Sequence, residues 1–175
     1  KDATSDLKGN NELLTLTRPE VIQKIHLDYL LAGADILETN TFTANTVSQA
    51  DFGTEDLVYE LNYASVKLAQ AAIAELQVDH PDRVCFVAGA IGPTTRSASL
   101  SPDVNDPGFR NIDFKSLVTD YGLAIQALDD AGADILLIET IFDVLNAKAA
   151  IFAALSHFEN TGRTLPIMIS GTITD

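Results

Sequence analysis

The chain has 175 residues, of which 25 are acidic and 11 basic, giving a formal net charge of −14 at pH 7. This acidity argues against nucleic acid or an anionic membrane surface as a partner, and no apolar run approaches the ~20 residues of a membrane span. The single cysteine, Cys85, excludes a disulfide within the chain, so a reducing cytoplasm is the simplest location. An apolar content of 46% is typical of a globular protein, and we expect one domain over residues 1–175.

The first half of the chain predicts two helices and two strands. Residues 17–20 (TRPE) resemble a capping box with proline in the first turn, and helical spacing of apolar residues continues to Gly33. A strand over residues 36–39 and a polar stretch over residues 41–53 follow. A longer helix is then predicted over about residues 55–76, and a buried strand over residues 84–90.

The second half repeats this order after an irregular segment. Residues 92–112 contain three prolines and form the longest segment without helix or strand signals. Because this segment follows a strand, it is expected at the carboxyl-end face of the sheet, where long loops are usually functional. A helix over residues 114–131 and a strand over residues 135–139 come next. A helix capped by Asp143 and a last strand over residues 166–170 complete the prediction.

The predicted sum is four parallel strands, each preceded by a helix or a helix-to-strand link. The chain has neither a Gly-x-Gly-x-x-Gly nor a Gly-x-x-x-x-Gly-Lys-Ser/Thr string, which weakens dinucleotide-binding and P-loop interpretations. A (β/α)₈ barrel fits the alternation but typically needs ~250 residues. The sequence therefore predicts an α/β fold, a partial barrel with about four strands.

An internal repeat supports this fold and indicates a site. Residues 32–42 (AGADILETNTF) are echoed by residues 131–142 (AGADILLIETIF), and each copy reads as a helix ending at glycine, a buried strand and a polar cluster. Polar groups at the carboxyl ends of parallel strands are where such folds place their chemistry. Aligning the copies predicts Asn40 and Glu139 at equivalent rim positions, with Glu38 deeper on the same face. The structural alternative for Glu139 is an ion pair with a neighbouring lysine or arginine.

Two glycine-containing strand ends are further candidates. Ser170-Gly171-Thr172 closes the last predicted strand, and a glycine between two hydroxyl residues lets the backbone approach a ligand closely. Gly89, Gly92 and Pro93 end the second strand in a similar manner. An ordinary strand-to-loop turn remains an equally good interpretation of the Ser170–Thr172 triplet.

The sequence lacks the residue patterns that several common kinds of catalytic and metal site require. None of the three histidines has a Cys, His or carboxylate partner at metal-ligand spacing, and Cys85 lies early in a buried strand, where a packing role is the default. The lysines fall on predicted helices or near the N-terminus, so no strand-borne lysine is available for a Schiff base. A Ser-His-Asp or Cys-His system also lacks a positioned histidine.

Seven segments of the chain resemble, in order, the homocysteine-binding module of the cobalamin-dependent methionine synthase family. These are residues 6–11 (DLKGNN), 33–42 (GADILETNTF), 87–94 (VAGAIGPT), 101–105 (SPDVN), 138–143 (IETIFD), 146–150 (NAKAA) and 169–173 (ISGTI). The resemblance covers essentially the whole chain. It implies a (β/α)₈ barrel of which this chain supplies strands two to five.

The resemblance also implies a reaction and a substrate site. In the family, a zinc ion held by three cysteines binds homocysteine as a thiolate, and the sulfur accepts a methyl group from methylcobalamin, which methyltetrahydrofolate recharges on other modules. The amino-acid end of homocysteine is expected on residues matching Glu139 and on Asn40, Thr41, Ser170, Gly171 and Thr172. A carboxylate suits the substrate ammonium, while amides and hydroxyls suit its carboxylate.

The resemblance places the zinc cysteines outside this chain. They belong to later strands and include a Gly-Gly-Cys-Cys-Gly string expected beyond Asp175, while the first strand would precede Lys1. Cys85 matches no ligand position, so we expect no metal and no catalytic residue in this chain, no bound zinc or cobalamin, and no activity of the chain alone. The expected partners are homocysteine, the rest of the barrel and the folate and cobalamin modules.

Two alternatives remain open at the level of the sequence. One is a cobalamin-independent homocysteine methyltransferase that takes its methyl group from betaine or S-methylmethionine, although residues 101–105 and 146–150 fit the cobalamin enzyme better. The other is a non-catalytic half-barrel that binds an amino acid or a partner chain. An open half-barrel would also expose strand edges at residues 36–39 and 166–170, which predicts self-association or aggregation.

Overall fold

A computed structural model describes residues 6–173 and shows helices alternating with strands. The strands are β1 (Ile36–Glu38), β2 (Phe86–Ile91), β3 (Ile135–Ile141) and β4 (Ile167–Gly171). The α-helices are α1 (Leu14–Thr17), α2 (Pro19–Leu31), α3 (Thr46–Gln49), α4 (Val58–Asp79), α5 (Phe114–Asp130) and α6 (Val144–Thr161). Short 3₁₀ turns cover Asn11–Leu13, Ala50–Phe52 and Glu55–Leu57. The ends of the predicted domain 1–175 lie outside the described residues.

The four strands form one parallel sheet in the order β1-β2-β3-β4. Helices α4, α5 and α6 each connect two neighbouring strands, which is the α/β alternation predicted from the sequence. Gly33 and Gly132 follow α2 and α5 with φ of +109° and +87°, left-handed values that favour glycine at a helix end. The predicted helix-glycine-strand units are therefore confirmed.

The hydrophobic core lies between the sheet and the helices. Leu37, Val87, Leu136 and Ile138 point from the strands into this core, where they meet apolar residues of α4, α5 and α6. The alternate residues point to the opposite face of the sheet, which is open. The core therefore holds one face of the sheet rigidly and leaves the other available to a ligand or to further chain.

Element boundaries differ from the sequence-based prediction by a few residues, and three local features also differ. Thr17 does not cap α2, because it ends α1 and its hydroxyl donates to the Leu13 carbonyl at 2.8 Å. Arg18 occupies the cap position without a side-chain hydrogen bond that caps the helix, whereas Pro19 does begin the helix as predicted. The polar stretch over residues 41–53 contains α3, which is capped by the Asn45 side chain. β3 runs two residues beyond Glu139, to Ile141.

Exposed apolar residues on the strands support the prediction that the isolated chain self-associates. β1 and β4 are the outer strands of the described sheet. Ile36 is 45% exposed and Met168 42% exposed, and both lie on these outer strands. Unpaired parallel edges with apolar side chains favour pairing with other chains. Light scattering on residues 1–175 should therefore show dimers or larger species, and a stable monomer across a wide concentration range would contradict this expectation.

A close backbone approach fixes the loop after β1 to the end of β2. A Cβ added at Gly92 would lie 2.3 Å from the Phe42 carbonyl oxygen, too close for any side chain. We expect Gly92→Ala to destabilise the protein by about 2–3 kcal/mol in urea unfolding, because the backbone must shift. Gly122→Ala is the matched control, since its Cβ would meet nothing within 4 Å in the middle of α5. It should stabilise by up to ~1 kcal/mol, and equal effects of the two substitutions would refute the close approach.

Candidate functional site

Two carboxylates lie on the open face of the sheet. Glu38 of β1 is paired with Ala88 of β2, and Ala90 is paired with Leu137 of β3, two residues before Glu139. Paired residues point to the same side of a sheet, and residues two apart on a strand share a face. Glu38 and Glu139 therefore face the same side, with only the small Ala88 and Ala90 between them on β2.

The environment of Glu139 makes its carboxylate costly to ionise. Burial and the neighbouring Glu38 carboxyl raise the pKa of Glu139 to about 7. The Thr140 hydroxyl, 3.4 Å from Oε2, only partly opposes this effect. Oε1 is buried and has no hydrogen-bond partner among the described residues. A partly buried carboxyl group with an unpartnered oxygen is stabilised by binding a proton, by a nearby cation or by a hydrogen-bond donor of a ligand.

The structural alternative for Glu139 is not found. The ion pairs within residues 6–173 all lie on the helices or on loops next to them, and none includes Glu38 or Glu139. The nearest charge that acts on Glu139 is another carboxylate. The open face of the described sheet therefore presents negative charge without a basic side chain to balance it.

A bulge in β3 occurs at the candidate carboxylate. Ile138 pairs with Ile169, but Ile141 pairs with Gly171, so β3 has one residue more than β4 in this interval. Thr140 has a φ of +52°, a left-handed value that β-branched residues rarely adopt, at a cost of roughly 1–3 kcal/mol. Bulges change the direction of side chains next to binding sites, and the bulge in β3 includes Glu139.

Thr41 lies in the loop just after β1 and is buried. Its hydroxyl donates to the Ala90 carbonyl at 2.7 Å and lies 2.6 Å from the Thr39 hydroxyl, which accepts from the Ala90 amide at 2.9 Å. The two threonines thus extend the pairing of β1 and β2 through their side chains. Thr41 holds the strand ends together, and contact with a substrate remains a prediction for it.

Asn40 is directed to the N-terminal part of the chain. Its side-chain amide donates to the Asn11 carbonyl at 3.0 Å and to the Thr15 hydroxyl at 3.2 Å, and its backbone amide donates to the Ser65 hydroxyl. The expected equivalence of Asn40 and Glu139 does not hold, because β1 ends at Glu38 and Asn40 follows it in a loop. Substrate binding by Asn40 stays a prediction.

The segment Ser170–Thr172 lies at the carboxyl end of β4, beside the residues of β3 that follow Glu139. Gly171 pairs with Ile141, and the Thr172 amide donates to the Ile141 carbonyl at 2.9 Å. All three residues are exposed, and the Ser170 hydroxyl makes no hydrogen bond within the described part of the chain. A Cβ at Gly171 would meet nothing within 4 Å, so any close approach there would be to a group outside the described chain.

Asp143 organises the loop next to Glu139, a role that the sequence reasoning missed. It caps α6 as predicted, accepting from the Leu145 amide at 2.8 Å and the Asn146 amide at 3.3 Å. It also accepts from the hydroxyls of Ser97 and Ser99 and from the Ser99 amide. Despite burial, these bonds hold the pKa of Asp143 at about 2. The alternating serines at 97, 99 and 101 were the available sequence signal.

Asn146 continues this anchor one turn into α6. Its side chain accepts from the Ala98 amide at 3.0 Å and donates to the Arg96 carbonyl at 2.9 Å and the Thr94 hydroxyl at 3.1 Å. Asp143 and Asn146 together tie the beginning of the segment over residues 92–112 to the N-terminus of α6. The long loop is therefore fixed where it leaves β2, beside the carboxyl end of β3.

Small clefts open at this end of the sheet. One is lined by residues including Gly92, Pro93, Glu139, Thr140 and Asp143. A second lies beside Thr41, Phe42 and Gly92. The carboxyl ends of β1, β2 and β3 thus meet around Gly92, as expected for the functional end of a parallel sheet.

The zinc that the sequence resemblance implies does not fit the described residues. Within residues 6–173 no three His, Cys, Asp or Glu side chains are grouped to hold a metal ion. Cys85 is half-buried, with its thiol free, just before the amino end of β2, opposite to the end that carries Glu139. We assign no step to zinc or cobalamin here. None of the described helices combines the length and hydrophobicity that crossing a membrane requires.

Comparisons with known proteins agree with this architecture. Three crystal structures of the homocysteine methyltransferase MmuM from Escherichia coli match the chain, and the matches cover 54–55% of MmuM. The oxidized form is 26% identical over 93% of the chain with a TM-score of 0.75, and the metallated form 27% identical over 93% with 0.76. The apo form is 25% identical over 96% with 0.69.

The chain thus spans about half the length of these structures, and its four strands and helices match part of a (β/α)₈ barrel. The family model described as homocysteine S-methyltransferase matches residues 1–175. The match covers the residues of every element described above. The chain belongs to the homocysteine S-methyltransferase family.

Proposed function

We propose that this chain forms the part of a homocysteine methyltransferase barrel that binds the amino-acid end of homocysteine. The observation that carries the proposal is the half-buried Glu139 carboxyl, which has an oxygen without a partner and no cation nearby among the described residues. The substrate ammonium supplies both a positive charge and hydrogen-bond donors. Family membership supports homocysteine as the molecule that carries this ammonium.

The substrate carboxylate would be bound on the β4 side of Glu139. Ser170 offers a hydroxyl, and Gly171 leaves room for a ligand to approach the backbone. The polar side chains of this chain would then orient homocysteine, with its thiol directed towards the rest of the barrel. Thr41 and Asp143 would act indirectly, by holding the strand ends and the loop over residues 92–112 in place.

We further propose that the complete enzyme is a cytoplasmic, cobalamin-dependent methionine synthase that makes methionine. Support for this methyl donor comes from the motifs at residues 101–105 and 146–150 and from their order along the chain. The cobalamin-independent alternative is favoured by one observation, the likeness to E. coli MmuM. In either case zinc would activate the homocysteine thiol, using residues outside the described part of this chain.

Supplying different methyl donors tests this proposal. The product of the complete open reading frame should form methionine from homocysteine when given methylcobalamin, and should not do so with S-methylmethionine or betaine. Turnover with S-methylmethionine alone would establish the alternative. Residues 1–175 by themselves should give no turnover with any of the three donors, so activity of the isolated chain would refute the division of the site proposed above.

A further inference from the structure

Glu38 shares the open face with Glu139 and makes no ion pair with a basic side chain of the described residues. The two carboxyl groups are close enough to interact by hydrogen bonding and by charge. Ala88 and Ala90, which lie between them on β2, carry no atom beyond Cβ, so long glutamate side chains can meet above them. The two residues therefore form a carboxylate pair contributed by alternate strands, as in the layers of barrel interiors.

One oxygen of the pair lacks a hydrogen-bond donor. Glu139 Oε2 accepts from the Thr140 hydroxyl, but Oε1 is buried without a partner among the described residues. From β2 this face presents Ala88 and Ala90, and from β4 it presents Met168 and Ser170, so Glu38 and Glu139 are the titratable groups that the four strands place there. Two carboxylates this close do not both ionise readily, and one shared proton supplies the missing donor.

We propose that Glu38 is a second carboxylate for the substrate ammonium, and that the empty pair holds one proton which the ammonium displaces. This inference rests on the proposed function, because it names the ligand of the same site. Charge and protons balance when the ammonium replaces the shared proton. A singly protonated pair with charge −1 and an ammonium with charge +1 give two carboxylates with the ammonium between them, and one proton passes to solvent. Binding of the amino-acid end is then coupled to proton release.

The pair itself can be tested without a ligand. Carboxyl ¹³C NMR titration of residues 1–175 should show Glu139 titrating with an apparent pKa clearly above the ordinary glutamate range. In Glu38→Gln the Glu139 signal should move back towards an ordinary pKa. Glu159→Gln, which changes an exposed glutamate on α6, is the matched control and should leave the Glu139 signal unchanged. Titration of Glu139 in the ordinary range, or a Glu139 signal that does not respond to Glu38→Gln, would overturn the proposal.

Calorimetry tests the coupling to the ligand. Homoserine keeps the ammonium and carboxylate of homocysteine and has no thiol that could release a proton. Titrating it near pH 6 in two buffers of different ionisation enthalpy should show about one proton released per molecule bound. Glu38→Gln should lower the affinity about tenfold and reduce the proton release, with the remainder due to the burial of Glu139, while Glu159→Gln should match the unchanged chain.

The outcomes separate this inference from the proposed function. Binding of homocysteine and homoserine without proton release, and with no effect of Glu38→Gln, would overturn the role of Glu38 and leave the proposed function intact. If neither amino acid binds although Glu139 titrates above the ordinary glutamate range, the proposed function of this chain fails and the ammonium exchange fails with it. A raised pKa of Glu139 together with proton release that depends on Glu38 supports both.

Discussion

Replacing Glu139 by glutamine is expected to weaken homocysteine binding by roughly 30- to 100-fold while making the folded protein more stable above neutral pH. The loss of affinity follows from removing a charged hydrogen bond to the ammonium, worth about 2–3 kcal/mol. The gain in stability follows from removing a carboxylate that has no cation nearby in the described structure. A residue with only a structural role would not produce this opposite pair of effects.

The direction of the pH effect follows from the raised pKa of Glu139. Its folded value of about 7 lies above the ordinary value of 4.5, so the folded state binds the proton more tightly than the unfolded state. This contribution to stability is fully present below about pH 4.5 and is lost as the pH rises through about 7. Allowing for solvent screening of the partly exposed group, Glu139→Gln should gain about 1 kcal/mol over the unchanged chain at pH 8.

Urea unfolding at pH 4 and pH 8, with calorimetric binding of homocysteine, measures both effects of Glu139→Gln. The difference in stability between variant and unchanged chain should appear at pH 8 and be near zero at pH 4. Glu159→Gln again serves as control, because its side chain is exposed on α6. A variant that binds homocysteine normally, or that is less stable than the unchanged chain at pH 8, would contradict the assignment.

The second large effect is expected at Asp143. Asp143→Ala removes a helix cap and also the carboxylate that binds Ser97 and Ser99, so we expect a loss of about 3 kcal/mol in the free energy of unfolding. Asp113→Ala is a well-matched control, because Asp113 caps α5 through Ser116 of the same helix. It should cost only about 1 kcal/mol.

One further measurement separates the loop anchor from the cap. Hydrogen exchange at the Ser99 amide should become fast in Asp143→Ala and stay slow in Asp113→Ala. The lowered pKa of Asp143, about 2, means that its contribution is present above the ordinary value of 3.8 and is lost as the pH falls through about 2. Equal costs for the two substitutions, with Ser99 protected in both, would show that Asp143 is a cap alone.

The sequence predicted the features that depend on local pattern. The repeated helix-glycine-strand units needed only apolar spacing and the conformational freedom of Gly33 and Gly132. The two-residue period of a strand predicted the face of the sheet to which Glu139 points, and it placed Glu38 on the same face. Asp143 was recognised as a cap because capping requires a short polar side chain just before the helix.

Local sequence patterns could not predict the features that depend on contacts between distant segments of the chain. The bulge at Thr140 exists because β3 pairs with β4 in a particular register, which no local signal specifies. Asn40 donates to Thr15, 25 positions earlier, so its place at a strand end did not determine its partner. The hydrogen bonds that Ser97 and Ser99 donate to Asp143 join residues more than 40 positions apart in the sequence. Long-range packing decided each of these cases.

The most direct test of the account compares homocysteine with 4-mercaptobutanoate, which has the same thiol and carboxylate but no ammonium. Calorimetry on residues 1–175 should show binding of homocysteine and at least about tenfold weaker binding of 4-mercaptobutanoate. Glu139→Gln should reduce the difference between the two ligands, with the remainder due to Glu38. If the unchanged chain binds both equally, the Glu139 carboxylate is not an ammonium site, and the proposed function of this chain is wrong.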